Sequence, residues 1–504
     1  MSSAEQTFEQ LCHHMRDTAL YSSVEALLNF DERTGMPPEA GPYRAEQITL
    51  LAGLTHERRT APQVGQWLDE LIDSHLAQDP ASDSGATIRW LKRQYEKKVK
   101  LPKSLVEEIA GTTVRAQQCW GEARPRNDFA SLRPWWEKIL ELKRQEADAV
   151  GYAECRYDAL LDDYEPGALT SDVNRVLGAL RDDLVPLVAA VGESKARADV
   201  GIVKRTYPIA AQKSFARRAA QAIGFDFARG RLDETTHPFC STLGPNDIGI
   251  TTRYDEQFFS SAFFGVLHEA GHGIYEQGLR TDQFGLPLGE YASLGIHESQ
   301  SRMWENLVGR SHAFWEHFFA DAQEAFPQAL GDTPLEDFYF AINDVRPSLI
   351  RVEADEATYN LHILIRFELE QALLHDELSV ADLPAAWNDK YHQFLDIDPP
   401  DDTDGVMQDI HWSAGLFGYF ATYSLGNLYA AQFFDQAEQE VGPLNEQFAA
   451  GDFQPLRDWL RTKIHHQGRR FSAAELAEKV TGKPLSHAAM IAQLKKKLSP
   501  LYGI

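Results

Sequence analysis

Little cysteine, no long apolar run and a shortage of positive charge set the first limits on this chain. Its 504 residues include four cysteines, Cys12, Cys119, Cys155 and Cys240. They lie far apart and none belongs to a Cys-x-x-Cys pair. That excludes a disulfide-stapled scaffold or a cysteine zinc cluster and fits a reducing compartment. No uninterrupted apolar stretch approaches the roughly 18 residues of a membrane span; Leu184 to Val191 is short and broken by Pro186. Basic residues number 49 against 75 acidic ones, a formal charge of −26. So acidic a chain is poorly matched to phosphate backbones or anionic membranes. The opening Met1-Ser-Ser-Ala-Glu-Gln-Thr7 has no basic segment followed by an apolar one. The expectation is a soluble cytoplasmic protein with no nucleic-acid or membrane partner.

What is present is helical periodicity over most of the length. Residues 4–30 place Phe8, Leu11, Cys12, Met15, Leu20 and Val24 at a rough 3.6-residue period,. Similar patterns cover Gly41 to His56 and residues 63–78, 85–100 and 103–125. Further helices are expected from Trp135 to Val150, from Thr170 to Leu184 with Thr170 or Ser171 as N-cap, and over 215–223, and Arg346 to Arg351 leads into a long helix reaching about His375. The texture changes only over 235–254, where short β-branched segments flank Gly244-Pro245-Asn246 and predict a hairpin,. A strand edge there could pair with an extended peptide. No repeat, low-complexity tract or linker interrupts the chain. These features predict an all-α fold with one small β-hairpin or sheet, organised as a single domain over 1–504 with a functional core at about 235–425.

The segment that carries chemistry is Phe263-Phe-Gly-Val-Leu-His268-Glu269-Ala-Gly-His272. On a helix His268 and His272 share one face and can offer two imidazoles to one metal ion. Phe263, Leu267, Ala270 and Ile274 fall at i, i+4, i+7 and i+11, a buried stripe. Gly271 and Gly273 cost roughly 1 kcal/mol each in a helix interior, which calls for an offsetting close approach by another backbone or the metal. A catalytic zinc site needs a third protein ligand and an open position. Glu298, on a downstream helix, is favoured over its neighbour His297. Glu269, one position round from the His pair, is placed as the general base on metal-activated water. His411 or Tyr423 are candidate donors to the oxyanion that forms.

Several ordered motifs together make the chain resemble the carboxypeptidase Taq family of metallocarboxypeptidases. They are His237-Pro-Phe239, Asp247-Ile-Gly249-Ile-Thr251, the His-Glu-x-x-His segment, His297-Glu-Ser-Gln300 and Gly405-Val-Met-Gln-Asp409-Ile-His411-Trp412. Tyr157-Asp-Ala-Leu-Leu-Asp162, Pro347-Ser-Leu-Ile-Arg351 with the residues to Glu356, and Trp459-Leu-Arg-Thr-Lys-Ile-His465 also match. The resemblance implies a helical, groove-containing fold, broad removal of C-terminal residues from peptides, Zn²⁺ with Co²⁺ or Mn²⁺ able to serve, and a homodimer. It implies Arg351 as anchor for the substrate's terminal carboxylate, against a plain helix salt bridge to Glu353 or Glu356. His237, His411 and Tyr423 carry over as substrate or transition-state contacts. The chain departs from the family pattern at Gly249, where Arg is expected, and at Phe30, where Trp is usual; a charge or a hairpin contact is expected to be lost. Competing expectations are an endo-acting zinc oligopeptidase and a peptide-binding protein whose catalysis has lapsed.

Overall fold

The computed structural model describes residues 2–504 and is helical apart from one three-stranded sheet. The chain gathers into two compact units, each drawn from three separated stretches. The first takes Met1–Lys98, Ala198–Ile342 and Ala430–Pro484; the second takes Val99–Arg197, Asn343–Tyr429 and Leu485–Ile504.

In the first unit, the opening helix Ser3–Thr34 starts from a capping box between Ser2 and Glu5,. Leu11, Cys12 and Met15 bury against Val64, Leu68, Leu71, Ile88 and Leu91. The apolar series is not buried throughout: Leu20 and Val24 are exposed. The expected hairpin is present as β2 (Cys240–Gly244) and β3 (Asp247–Thr252), antiparallel across a turn in which Asn246 has φ of 61°. The sequence did not announce β1 (Gly230–Glu234), which pairs parallel to the far edge of β3. Its charged residues follow no apolar alternation, and it is a strand because β3 supplies its partner. With the order β1-β3-β2, β3 has no open edge, so an added peptide strand could pair only with β1 or β2.

The helix Phe259–Gly278 packs against β3. Gly273 lets it settle there, since a Cβ would stand 2.5 Å from the Phe225 ring and 3.2 Å from Ile250. Its other side meets an aromatic core: Phe263 stacks on Phe215 with centroids 5.2 Å apart and lies at the same distance from Trp315. Large rigid rings on one side and a strand on the other hold this helix in place.

In the second unit one expected helix is found and another extends. The long helix that Arg346 to Arg351 leads into runs from Thr358 to Leu374, and Arg351–Glu353 before it is a short 3₁₀ turn. The helix from Thr170 runs past Pro186 to Glu193 because Leu184, Leu187, Val188 and Val191 are all buried, which outweighs the proline's lost donor,. Leu169 is its N-cap, since the Thr170 hydroxyl and backbone N–H both donate to Asp158.

Glu370, fully buried on the helix Thr358–Leu374, ties three segments together. It accepts from the Tyr157 hydroxyl at 2.8 Å, the Trp412 indole at 2.8 Å and the Gly418 amide at 3.1 Å. Burial pushes its carboxyl up to about 7, although these donors pull it down,. In the unfolded chain the group returns to the ordinary carboxylate range. Between those values the folded state holds a proton that the unfolded state has released, so this group's contribution to stability falls as pH rises through the window. Replacing Glu370 with Gln should remove roughly 2–3 kcal/mol of the stability difference between about pH 5 and pH 8. Urea unfolding of both proteins at the two pH values measures it; an undiminished difference would contradict the assignment.

Candidate metal centre

His268 and His272 lie on one face of the helix Phe259–Gly278, and the next helix, Leu294–Arg302, brings Glu298 to them. One Glu298 oxygen, Oε2, stands 3.7 Å from His268 Nε2 and 3.5 Å from His272 Nε2. Ligand atoms bonded tetrahedrally to one zinc ion at ~2.1 Å stand about 3.4 Å apart, so the spacing suits a shared cation. Among the described residues this is the one group of three or more such side chains placed to hold a metal.

The outer nitrogens fix the rings. His268 Nδ1 is 2.9 Å from Glu305 Oε2, and His272 Nδ1 is 3.0 Å from the His297 carbonyl. Both partners accept, so each Nδ1 carries the proton and each Nε2 lone pair faces Glu298. The other Glu298 oxygen accepts from Arg302 Nε at 2.7 Å, and Ser301 Oγ donates to Oε2 at 3.1 Å. Burial works to raise the Glu298 carboxyl, but Arg302 and the two imidazoles outweigh it and hold it well below the usual carboxylate range. Glu298 is therefore an anion ready to coordinate.

Glu269 is buried beside the cluster, and its Oε2 has no hydrogen-bond partner. Burial, reinforced by the charges of Glu298 and Glu305, pushes its carboxyl up to about 7. An orphaned carboxylate oxygen next to three convergent ligand atoms fits a metal and its water: it is the one acceptor left unsatisfied where a proton would be taken.

His297, the alternative ligand, is turned away. Its ring stacks on His272 with centroids 4.4 Å apart and meets Glu276 Oε1 at 2.8 Å. Its backbone carbonyl, not its imidazole, serves the site. Glu305 carries the outer contact to His268 and has no sequence signature. It lies on a π-helical turn, Met303–Val308, that directly continues the Glu298 helix, where the wider turn changes which side chains face back.

The remaining candidates fall elsewhere. His237 is exposed in the loop between β1 and β2. Arg351, His411 and Tyr423 gather in the second unit. Arg351 pairs not with Glu353 or Glu356 but with Asp409, through Nη2 at 2.8 Å and Nε at 3.1 Å. Its Nη1 donates to the Tyr359 hydroxyl at 3.0 Å, and its guanidinium lies 5.3 Å from the Tyr423 ring centre. Arg366 donates to the other Asp409 oxygen at 2.6 Å. Two guanidinium groups thus share one carboxylate, leaving an excess of buried positive charge. Burial pushes the His411 imidazole down to about 4, so near neutrality it is uncharged, and its Nδ1 has no hydrogen-bond partner.

The departure at Gly249 also has a physical account. A Cβ there would stand 2.2 Å from the buried Phe30 ring. Arg231, directly opposite Gly249 on β1, lays its guanidinium 4.3 Å from the centre of that ring. Phe30 fills the space that a side chain at 249 would need.

Comparison with known proteins gives one answer along the whole chain. The family model for the carboxypeptidase Taq (M32) metallopeptidases matches residues 10–498. A relative from Thermus thermophilus named thermostable carboxypeptidase 1 is 48 % identical over 99 % of both chains. Carboxypeptidase 1 of Bacillus subtilis is 39 % identical over 96 % of both. The crystal structure of an M32 carboxypeptidase from Deinococcus radiodurans superposes with a TM-score of 0.95 at 40 % identity, covering 99 % of this chain and 100 % of that one.

The approach of the two ligand helices rests on Gly271, where a Cβ would stand 2.7 Å from both the Gln300 carbonyl oxygen and Ser301 Cα. Gly271→Ala should force the helices apart, weakening metal affinity at least about tenfold and costing roughly 1–3 kcal/mol of stability. Gly265→Ala is the control, since its nearest neighbour is 3.7 Å away. It should be neutral or stabilising by up to about 1 kcal/mol. Competition with a chelating dye and urea unfolding measure the two effects, and equal behaviour of the two variants would dismiss the role given to Gly271.

Proposed function

This chain belongs to the carboxypeptidase Taq (M32) metallopeptidases, and from that membership we propose how its residues divide the work of a metal-dependent carboxypeptidase. His268, His272 and Glu298 hold the ion. Two imidazole nitrogens and one carboxylate oxygen suit Zn²⁺, with Co²⁺ or Mn²⁺ able to replace it. When bound, the ion supplies an acidified water and polarises the scissile carbonyl. Glu269 takes the water's proton on its unsatisfied Oε2 and returns it to the leaving amine. That oxygen is the observation that carries the assignment: a buried acceptor, lifted to about 7, with nothing else to bind.

Arg351 anchors the terminal carboxylate of the peptide. Three of its five N–H groups are taken by Asp409 and Tyr359; one on Nη1 and one on Nη2 remain to donate to a carboxylate. The excess charge left by Arg351 and Arg366 over Asp409 favours an anion there. His411, uncharged, and Tyr423 contact the substrate or its oxyanion, and His237 contacts the peptide. The enzyme removes C-terminal residues with broad specificity. Endo-acting cleavage and a lapsed binding role are not favoured, since the named relatives are carboxypeptidases and the general base is retained. The chain works as one catalytic domain, because neither unit is a contiguous stretch that could be cut out.

Peptide digestion with metal analysis tests these roles. Glu269→Gln should lose nearly all turnover while keeping its metal. Arg351→Ala should lose about 10²-fold or more on peptides with a free C-terminus and show no selective loss on amidated ones. Normal turnover by Glu269→Gln sinks the proposed mechanism, and an equal loss on both substrate types removes Arg351 as the anchor.

The same membership supports a cytoplasmic homodimer. No helix among the described residues is long and apolar enough to cross a membrane. Light scattering should give twice the chain mass of 56.7 kDa; a single chain mass at micromolar concentration would refute the dimer.

A further inference from the structure

The motif Trp459-Leu-Arg461-Thr-Lys-Ile-His465 is not used by the metal chemistry, yet one of its side chains opens onto a cavity. The cavity has a volume of about 330 Å³ and lies in the first unit, with Arg229, Arg457, Arg461, Asp226 and Gln277 in its wall. That volume is at the lower end of small-molecule sites, ~300–1,000 Å³. Three guanidinium groups face one carboxylate, in a protein that is strongly acidic as a whole.

Two of the three arginines are held in place by the fold. Arg229 donates to Asn246 Oδ1 at 2.6 Å and to the Gln277 carbonyl at 2.7 Å, capping the end of the metal helix,. Arg457 pairs with Asp458 at 3.2 Å and lies over Gly224, where φ is 115° and a Cβ would stand 2.5 Å from the Arg457 Cδ. Capping a helix end accounts for Arg229, and the pair with Asp458 accounts for Arg457. Neither accounts for Arg461, whose guanidinium makes no hydrogen bond or ion pair among the described residues. Burial and the neighbouring Arg457 and Arg229 depress its basicity, and the opposing pull of Asp458, already paired with Arg457, does not make up for them.

We propose that this cavity binds a small, multiply charged oxyanion of the phosphate and polyphosphate class, with Arg461 as its direct partner and Arg457 and Arg229 beside it. A guanidinium with all its donors free is suited to grip two phosphate oxygens at once. The bound anion would join the end of the metal helix at Gln277 to the helix Gln454–Lys463 and so stabilise the first unit. The site does not depend on the peptidase assignment.

The test uses the full-length, metal-loaded protein and follows Tm against inorganic phosphate, pyrophosphate and ADP at fixed ionic strength. A saturable rise in Tm is expected. Arg461→Gln should raise the half-saturating concentration about tenfold or more. Asp226→Asn, which removes the only carboxylate in the wall, should lower it. ADP binding tighter than pyrophosphate would identify a nucleotide as the source, and the reverse order a free polyphosphate; both support the site. A rise reproduced by sodium chloride or acetate at the same ionic strength overturns the proposal. So does a response unchanged in Arg461→Gln, which would trace it to the metal or to the general surface.

Discussion

The helix of His268 and His272 and the helix of Glu298 touch backbone to backbone at Gly271, and the three side chains converge because nothing stands between them. Any side chain at that position would meet the Gln300 carbonyl and Ser301 Cα at 2.7 Å. Two imidazoles one turn apart are a local property of one helix. A carboxylate 26 positions after His272 is not; its approach depends on how closely the next helix lies. Gly273 plays the corresponding part toward Phe225 and Ile250. The helix gives up propensity at both sites, and the contacts made possible offset it.

Around this contact the buried charges orient groups more than they stabilise the fold. Desolvation takes back most of what a buried ion pair gains. Arg302 reaches both Glu298 and Glu305, so one cation holds the carboxylate beside the His pair and the residue that steadies His268. In the second unit the arrangement is reversed: one carboxylate, Asp409, is shared by Arg351 and Arg366. The first cluster favours a cation and the second an anion.

Periodicity and motif made much of this legible. His268, Glu269, His272 and Glu298 stand together as their types and spacing suggested, and the two glycines have the close neighbours that their cost implied. Glu305 was not legible, because a π-helical turn has no pattern in sequence and its effect is on direction alone. Asp409 stood inside a quoted motif, but only the packing of distant segments shows that it, and not Glu353 or Glu356, holds Arg351. β1 was missed because its strand character comes from β3. The helix from Thr170 runs beyond its expected end at Leu184 and through Pro186, because burial at four positions outweighs one lost donor. In each case the deciding interaction is long-range.

The interleaving of the two units bears on how the chain is made. The first unit is closed by Ala430–Pro484 and the second by Leu485–Ile504. A ribosome must therefore pass Pro484 before the first core can be completed and reach the 485–504 stretch before the second can. Until then the aromatic residues around Phe215, Phe263 and Trp315 lack part of their native cover in the nascent chain. Such a chain emerges at about 5–20 residues per second, so that apolar surface stays incompletely covered for tens of seconds.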